Sequence, residues 1–307
     1  MARLLSDVLE STFFRGPRAP LPLAFSSCSP AFVRDNRFSP LLVTFLGKSM
    51  YVISERINGL FSSVSKAIDQ RDAKWIQEHA LNQIAKGAQA LDINTGPGRE
   101  DGPAVMEWLV RTVQEVTDVP LSIDTPGIKT MTAGLKACRN RAIMNSTTAE
   151  KAKMEKLFPL AREHNADIIC LTMDERGVPN DAASRAEMAM LMITTAMEHE
   201  IMPDRLYLDP LVLPTKAAQD QGQKVIEALR MFQSLNEPAP RTVVGLSNVS
   251  NGTKYRPLVN RTYLAMLMGA GLSAVICDPE DQELMSTIKA GQVLLNQKLY
   301  CDDFLRA

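Results

Sequence analysis

The chain has 307 residues, 45% of them hydrophobic, with 34 basic against 35 acidic side chains and a formal charge of −1. That length supports one large barrel or two ordinary domains around a full core, and the balanced charge, with no Lys/Arg-rich run, argues against nucleic acid as a partner. The five cysteines (Cys28, Cys138, Cys170, Cys277, Cys301) form no CxxC pair and follow no secretory leader, so neither a disulfide framework nor a Cys-based zinc site is expected and the compartment reads as reducing and cytoplasmic. No stretch approaches the roughly 18 apolar residues of a membrane span.

Residues 1–49 differ from the rest, with five prolines, scattered phenylalanines, six basic against three acidic side chains and no helical or strand period. They read as an N-terminal extension, either poorly ordered or a product of an upstream start codon, with the domain proper at 50–307.

From Met50 onward, short β-branched runs alternate with amphipathic stretches. The expected strands are 51–54, 90–94, 120–124, 142–145, 167–171, 206–209, 242–246 and 274–277. Between them Ile76, Ala80, Ile84 and Ala88 recur at four-residue intervals, and Met106, Leu109, Val110 and Val113 repeat the three-four spacing of a buried helical stripe. Eight βα units in about 250 residues match a closed (β/α)8 TIM barrel, an α/β fold, whereas a doubly wound open sheet would stop at fewer strands.

In that fold the working residues sit at the carboxyl ends of the strands. Those ends carry Glu55, Asn58, Asn94, Asp124, Asn145, Asp209 and Asn248, a collection of carboxylates and carboxamides. Each could be a helix N-cap, but Asp124 and Asp209 fit that reading least, because several residues separate them from the next helical period. The three histidines, His79, His164 and His199, fall in helical patterns expected on surfaces, which leaves no His-ligated metal site. A 2-amino-4-oxo-pyrimidine edge presents an N–H beside an NH2, the two-pronged donor a carboxylate accepts, and Asp209 is of the type that could take it. Asp124 and Asn145 suit the mixed opposite edge, and Asn248 can hydrogen-bond a ring nitrogen in either protonation state.

The wording of the motifs Glu55-Arg56-Ile57-Asn58-Gly59, Asp124-Thr125, Met144-Asn145-Ser146-Thr147, Leu208-Asp209-Pro210-Leu211 and Gly245-Leu246-Ser247-Asn248-Val249-Ser250 resembles, in order and spacing, the methyltetrahydrofolate:corrinoid protein methyltransferases. These belong to the pterin-binding barrels that include dihydropteroate synthase. The resemblance runs from Met50 to about Leu305. It implies that Asp124, Asn145 and Asp209 anchor the pterin, that Asn248 assists chemistry at N5, and that Arg256 contacts the folate. Asn251, placed with this folate-binding set, stands where a longer glutamine occurs in a relative, and Ser54 stands where glycine is usual before Glu55.

The resemblance implies a methyl transfer between N5 of tetrahydrofolate and cobalt, with tetrahydrofolate or 5-methyltetrahydrofolate as substrate and no tightly bound metal in this chain. No histidine lies in an Asp-x-His-x-x-Gly context, so the corrinoid is expected on a partner protein that docks at the barrel mouth. Family members form homodimers, and the segment Ala189-Met190-Leu191-Met192-Ile193 offers apolar surface for one. Three alternatives stand beside this reading. A dihydropteroate synthase-like enzyme needs a basic cluster near the seventh strand, yet 247–251 carries no Lys or Arg before Lys254; a zinc-dependent methyltransferase needs Cys or His at strand ends, where only Cys277 stands. A non-catalytic folate-binding barrel is the third.

Overall fold

Eight parallel strands pair in chain order and close on themselves: β1 (Tyr51–Asn58), β2 (Ala90–Asn94), β3 (Leu121–Asp124), β4 (Ile143–Thr148), β5 (Asp167–Leu171), β6 (Leu206–Asp209), β7 (Arg241–Gly245) and β8 (Ala274–Cys277). This is the architecture of the computed structural model, which describes residues 49–306. The expected extension at 1–49 therefore lies, but for its last residue, outside the described residues.

The helices follow the strands. Two, α1 (Ser62–Asp69) and α2 (Ala73–Ala85), link β1 to β2; α3 (Gly102–Gln114), α4 (Ile128–Ala137), α5 (Lys151–Glu163) and α6 (Ala182–Glu198) follow β2 to β5. After β6, β7 and β8 come α7 (Gln221–Phe232), α8 (Arg256–Gly269) and α9 (Gln282–Leu294), with a short α10 (Asp302–Arg306) at the end. Aspartates at the N-caps of α2, α6 and α9 accept backbone N–H groups: Asp72 from Trp75 at 3.0 Å, Asp181 from Ser184 at 2.8 Å and Asp281 from Leu284 at 3.0 Å.

Strand alternation sorts the side chains into two layers. In β2, Leu91 and Ile93 are buried against helical residues such as Val105, Met106 and Leu109, as a helix-facing stripe requires. The opposite face of the strands closes the barrel interior with Ile53, Ala90, Ile143, Ile169, Tyr207, Val243 and Ala274, a separate apolar cluster that makes a packed floor and leaves no pore.

The amino ends of the strands are clamped by charge. Asp167, first residue of β5, takes Arg205 Nε at 2.9 Å, with Arg141 Nη1 at 3.8 Å and Arg241 Nη1 at 3.9 Å. Arg205 also donates to Asn165 Oδ1 at 2.8 Å, and Arg241 bonds the Tyr207 hydroxyl in the floor.

The expected strands and the observed ones coincide for β2, β5, β6 and β8. β1 runs four residues past the expected Ser54, through a register shift between Ser54 and Ile57 that returns Ile57 to the core. β4 also runs on, to Thr148, through a shift between Met144 and Thr147. Both shifts lie at the carboxyl ends, where irregular pairing re-aims side chains.

Candidate functional site

The residues at the carboxyl ends of β2, β3 and β4 form one connected group. Asp92 pairs with Ser122 and Asn94 with Asp124 across β2 and β3, and Asp124 pairs with Asn145 across β3 and β4. Paired residues in a parallel ladder share a face, so all five point away from the helix-facing Ile93 and Ile123, into the mouth. Asp92 Oδ1 accepts from Ser122 Oγ at 2.5 Å and from Asn145 Nδ2 at 3.1 Å. Asn94 Nδ2 donates to Asp124 Oδ2 at 2.6 Å, while its Oδ1 accepts from Gly96 N at 2.7 Å. Asp92 is 3% exposed, and burial, then the neighbouring Asp124, push its pKa well above the carboxylate range; burial raises Asp124 as well.

Asp209 ends β6. Its Oδ1 accepts from Leu211 N at 2.7 Å, closing an Asx turn in which Leu211 takes a φ of 65°. A left-handed leucine is strained, and strain of this kind gathers at functional sites. Asp209 is 7% exposed; burial lifts its pKa to about 7, against the lowering effects of the Leu211 bond and of Arg185. Arg185 itself, in the first turn of α6, is fully buried, donates from Nη2 to Gln221 Oε1 at 2.6 Å, and has no partner at Nε or Nη1. Burial pulls its pKa down.

The β7 side is built differently. A short 3₁₀ turn, Leu246–Asn248, carries Ser247 and Asn248 out of the strand. Ser247 Oγ donates to Glu55 Oε1 at 2.5 Å, tying this turn to β1. Burial raises the Glu55 pKa, the Ser247 bond opposes that rise, and the carboxylate of Asp278 adds to it. Asn248, Asn251 and Arg256 are all exposed; Arg256, at the start of α8, reaches back from Nη2 to the Ser247 carbonyl at 3.3 Å. On the adjoining rim Gly59 meets the β2 loop so closely that a Cβ there would stand 2.4 Å from the Thr95 carbonyl oxygen, which requires glycine.

Of the six sequence-derived candidates, Asp124, Asn145 and Asp209 thus stand in β3, β4 and β6 towards their carboxyl ends, Asn248 and Asn251 in the segment that follows β7, and Arg256 at the first residue of α8. The N-cap alternative does not describe them: the caps of α4, α5 and α7 are Gly127, Glu150 and Asp220. Asn58, by contrast, is a local turn former, its Oδ1 accepting from Leu60 N at 2.9 Å. Asp92 and Arg185 were not among the candidates. Alternation could have found Asp92, which shares a face with Asn94 inside an otherwise apolar strand; an arginine between Ala182 and Ala189 on the buried stripe of α6 was the signal for the other.

The histidines differ from their expected surface positions. His79 is half-buried, stacked on Trp75 with ring centroids 4.8 Å apart and Nε2 3.2 Å from the Arg56 carbonyl; His164 and His199 are half-buried just beyond α5 and α6. Among the described residues no group of three or more His, Cys, Asp or Glu side chains is arranged to hold a metal ion, and no helix is long and apolar enough to cross a membrane.

Comparison with known proteins places this geometry. A methylcorrinoid:tetrahydrofolate methyltransferase of Eubacterium limosum is 28% identical over 262 residues, 84% of this chain and 96% of that protein. The methionine synthase of Mycobacterium leprae is 27% identical over 241 residues, 74% of this chain but 20% of the synthase, so the chain matches one section of that larger enzyme. Among solved structures, a dihydropteroate synthase of Clostridium difficile in the presence of pteroic acid superposes with a TM-score of 0.61 at 16% identity, covering 81% of this chain and 98% of that one. The Yersinia pestis dihydropteroate synthase gives 0.58 at 15% identity over 80% and 94%; at such identities these two speak for the fold. The pterin binding enzyme family itself matches residues 54–278, the span from β1 through β8, and the chain belongs to that family.

Proposed function

We propose that this protein transfers a methyl group between N5 of tetrahydrofolate and the cobalt of a corrinoid held by a separate protein. The observation that carries the reading is the likeness to the Eubacterium limosum methylcorrinoid:tetrahydrofolate methyltransferase, which takes in nearly the whole of that enzyme. The carboxylates and carboxamides of the mouth supply the chemistry such a substrate needs.

In this reading Asp209 accepts the paired N–H donors of the pyrimidine edge, a task that suits an ionised carboxylate. Asp124 and Asn145 take the opposite edge. Asn248, with Asn251 and Arg256 around it on the β7 side, meets N5 and the rest of the folate. The reaction is an in-line displacement in which the bond from methyl to cobalt breaks as the bond to N5 forms, the N5 lone pair making the new bond and cobalt keeping the old pair; the reverse starts from protonated N5. No covalent enzyme intermediate is needed. The protein then contributes alignment, which can be worth about 7–11 kcal/mol, and a hydrogen bond from Asn248 that follows the charge on N5.

A dihydropteroate synthase-like reaction is disfavoured by the turn at 247–251, which carries no cation, although Arg256 reaches its backbone. We further read the protein as a cytoplasmic homodimer with both mouths open to a corrinoid protein, serving a route such as O-demethylation. Met190 and Leu191 on α6 are exposed and offer apolar surface for the dimer, and light scattering at micromolar concentration would report its mass.

The deciding assay mixes the protein with methylcobalamin and tetrahydrofolate, and in reverse with cob(I)alamin and 5-methyltetrahydrofolate, and follows cobalt absorbance. Methyl exchange is expected in both directions. Tight folate binding with no exchange, from free cobalamin or from a corrinoid protein, would leave a folate-binding barrel without this activity.

A further inference from the structure

Ser247, the residue before Asn248, is held from two sides. Its Oγ donates to Glu55 Oε1 at 2.5 Å, and its carbonyl accepts from Arg256 Nη2 and from Ser250 Oγ, each at 3.3 Å. The backbone of the turn closes through Val249 N to the Leu246 carbonyl and Asn251 N to the Asn248 carbonyl, each 3.1 Å, and Thr215 N takes the Val249 carbonyl at 3.0 Å. A three-residue 3₁₀ turn has poorer hydrogen-bond geometry than an α-helix, so outside contacts weigh more in fixing it. Among the described residues the Asn248 side chain has no hydrogen-bond partner; it lies against Gly245, where a Cβ would stand 3.1 Å from Nδ2. Its placement is therefore set by the backbone of the turn. Glu55 reaches that turn because of how β1 runs. Ile53 lies in the interior floor and Ser54 faces α2, its Oγ donating to Gln83 Oε1 at 2.8 Å, so Glu55 returns to the interior side. The register shift between Ser54 and Ile57 then turns Ile57 to the helix-facing core. On β8, Ser54 pairs with Cys277 and Gly245 with Ile276, which sets Glu55 and Ser247 at the same level, one residue beyond the end of that strand.

We propose that Glu55 is a positioning residue for the methyl transfer: through the Ser247 hydroxyl it tethers the turn at 246–248 to β1 and so fixes where Asn248 meets N5, without touching the substrate. A strand carries a tether more rigidly than a loop, and a reacting group displaced by a fraction of an ångström loses the alignment on which such a displacement depends. The bond also spans β8, so that two strands with no ladder between them hold the turn in common. The transfer part of this inference rests on the function proposed above; the tether does not.

The two parts are tested separately. In the ligand-free protein, Glu55→Ala and Ser247→Ala should each speed hydrogen exchange at the Val249 and Asn251 amides about tenfold or more, with the middle of α8 unaltered; unchanged exchange in both variants would overturn the tether. For positioning, both variants should slow single-turnover methyl transfer between methylcobalamin and tetrahydrofolate about fivefold or more, with folate affinity within about twofold of wild type. Glu55→Gln keeps an acceptor for the serine hydroxyl and should restore most of the rate; a Gln variant as slow as the Ala variant would overturn the role. Placed on Asn248→Ala, neither change should cost more than about a further twofold, because each acts through Asn248. Losses that multiply in full would overturn the role as well, and so would a Glu55→Ala that loses folate affinity tenfold while Ser247→Ala loses none, which would make Glu55 a ligand contact. If Glu55→Ala does not fold, Ser247→Ala decides both parts. Should the wild-type protein transfer no methyl group, the proposed function fails and the positioning role with it, while hydrogen exchange still decides the tether.

Discussion

The two ends of the barrel treat buried carboxylates in opposite ways. At the amino end Asp167 is ringed by Arg141, Arg205 and Arg241, while at the carboxyl end Asp92, Asp124 and Asp209 make no ion pair within 4.0 Å among the described residues. Arg185, the cation that acts on Asp209, does so from a distance and with two of its nitrogens unpartnered. A carboxylate whose charge is answered within the chain holds the fold together. One left unanswered is poised for a proton or for a partner from outside, and the division follows the general separation of stability and chemistry between the two faces of this fold.

The strongest way to break that comparison is at Asp209. Asp209→Ala should weaken tetrahydrofolate by roughly 2–4 kcal/mol, the cost of leaving a paired donor edge unmet, and calorimetry showing wild-type affinity in a folded variant would remove Asp209 from the site. The same residue fixes a pH dependence. Its folded pKa of about 7 stands above the ordinary 3.8, so the stability it lends the empty barrel is complete below 3.8 and is lost as pH rises through about 7. Folate binding should run the other way, strengthening as Asp209 ionises through the same range, and Asp209→Asn should flatten both profiles.

Asp167→Ala tests the opposite end. It strands Arg205 and Arg241 and should lower stability by about 1–3 kcal/mol, read from denaturant midpoints, with tetrahydrofolate affinity within twofold of wild type. A folded variant with lost affinity would show that the two ends are coupled.

Asn248→Ala sharpens the contrast within the mouth. If its hydrogen bond follows the charge on N5, single-turnover methyl transfer should fall about tenfold or more, roughly 1.4 kcal/mol, while folate affinity falls less. Equal losses would make Asn248 one more pterin clamp. The smallest effect belongs to residues 1–49: a chain beginning at Met50 should bind folate as the full chain does, and loss of binding on their removal would make them part of the domain.

Much of the barrel was legible because each strand is a short β-branched run with a helical stripe after it, and β2, β5, β6 and β8 begin and end where the pattern does. β1 and β4 were cut short since Glu55-Arg56 and Ser146-Thr147 interrupt the apolar run, and only the observed register shifts show the chain continuing as strand. Strand-end position exposed Asp124, Asn145 and Asp209. Asp92 escaped because attention to strand ends passes over the residue one layer down, and Arg185 because helical periodicity says which face is buried, not which charge on it lacks a partner. The Glu55 to Ser247 bond joins residues 192 apart in sequence, a contact that only closure of the barrel creates.

The apolar floor has a kinetic consequence. With Tyr207, Ile53, Ile143 and their neighbours packed across the interior, a folate bound as proposed would enter by the mouth, the face at which the proposed corrinoid partner would also dock. On that proposal the two substrates share one entrance, the smaller seated deeper, and a compulsory order follows: folate enters an open barrel, the carrier protein then covers it, and folate exchanges again only when the carrier leaves. Initial-rate patterns should accordingly show folate as the leading substrate, and an excess of carrier protein should slow turnover by closing the barrel before folate has entered.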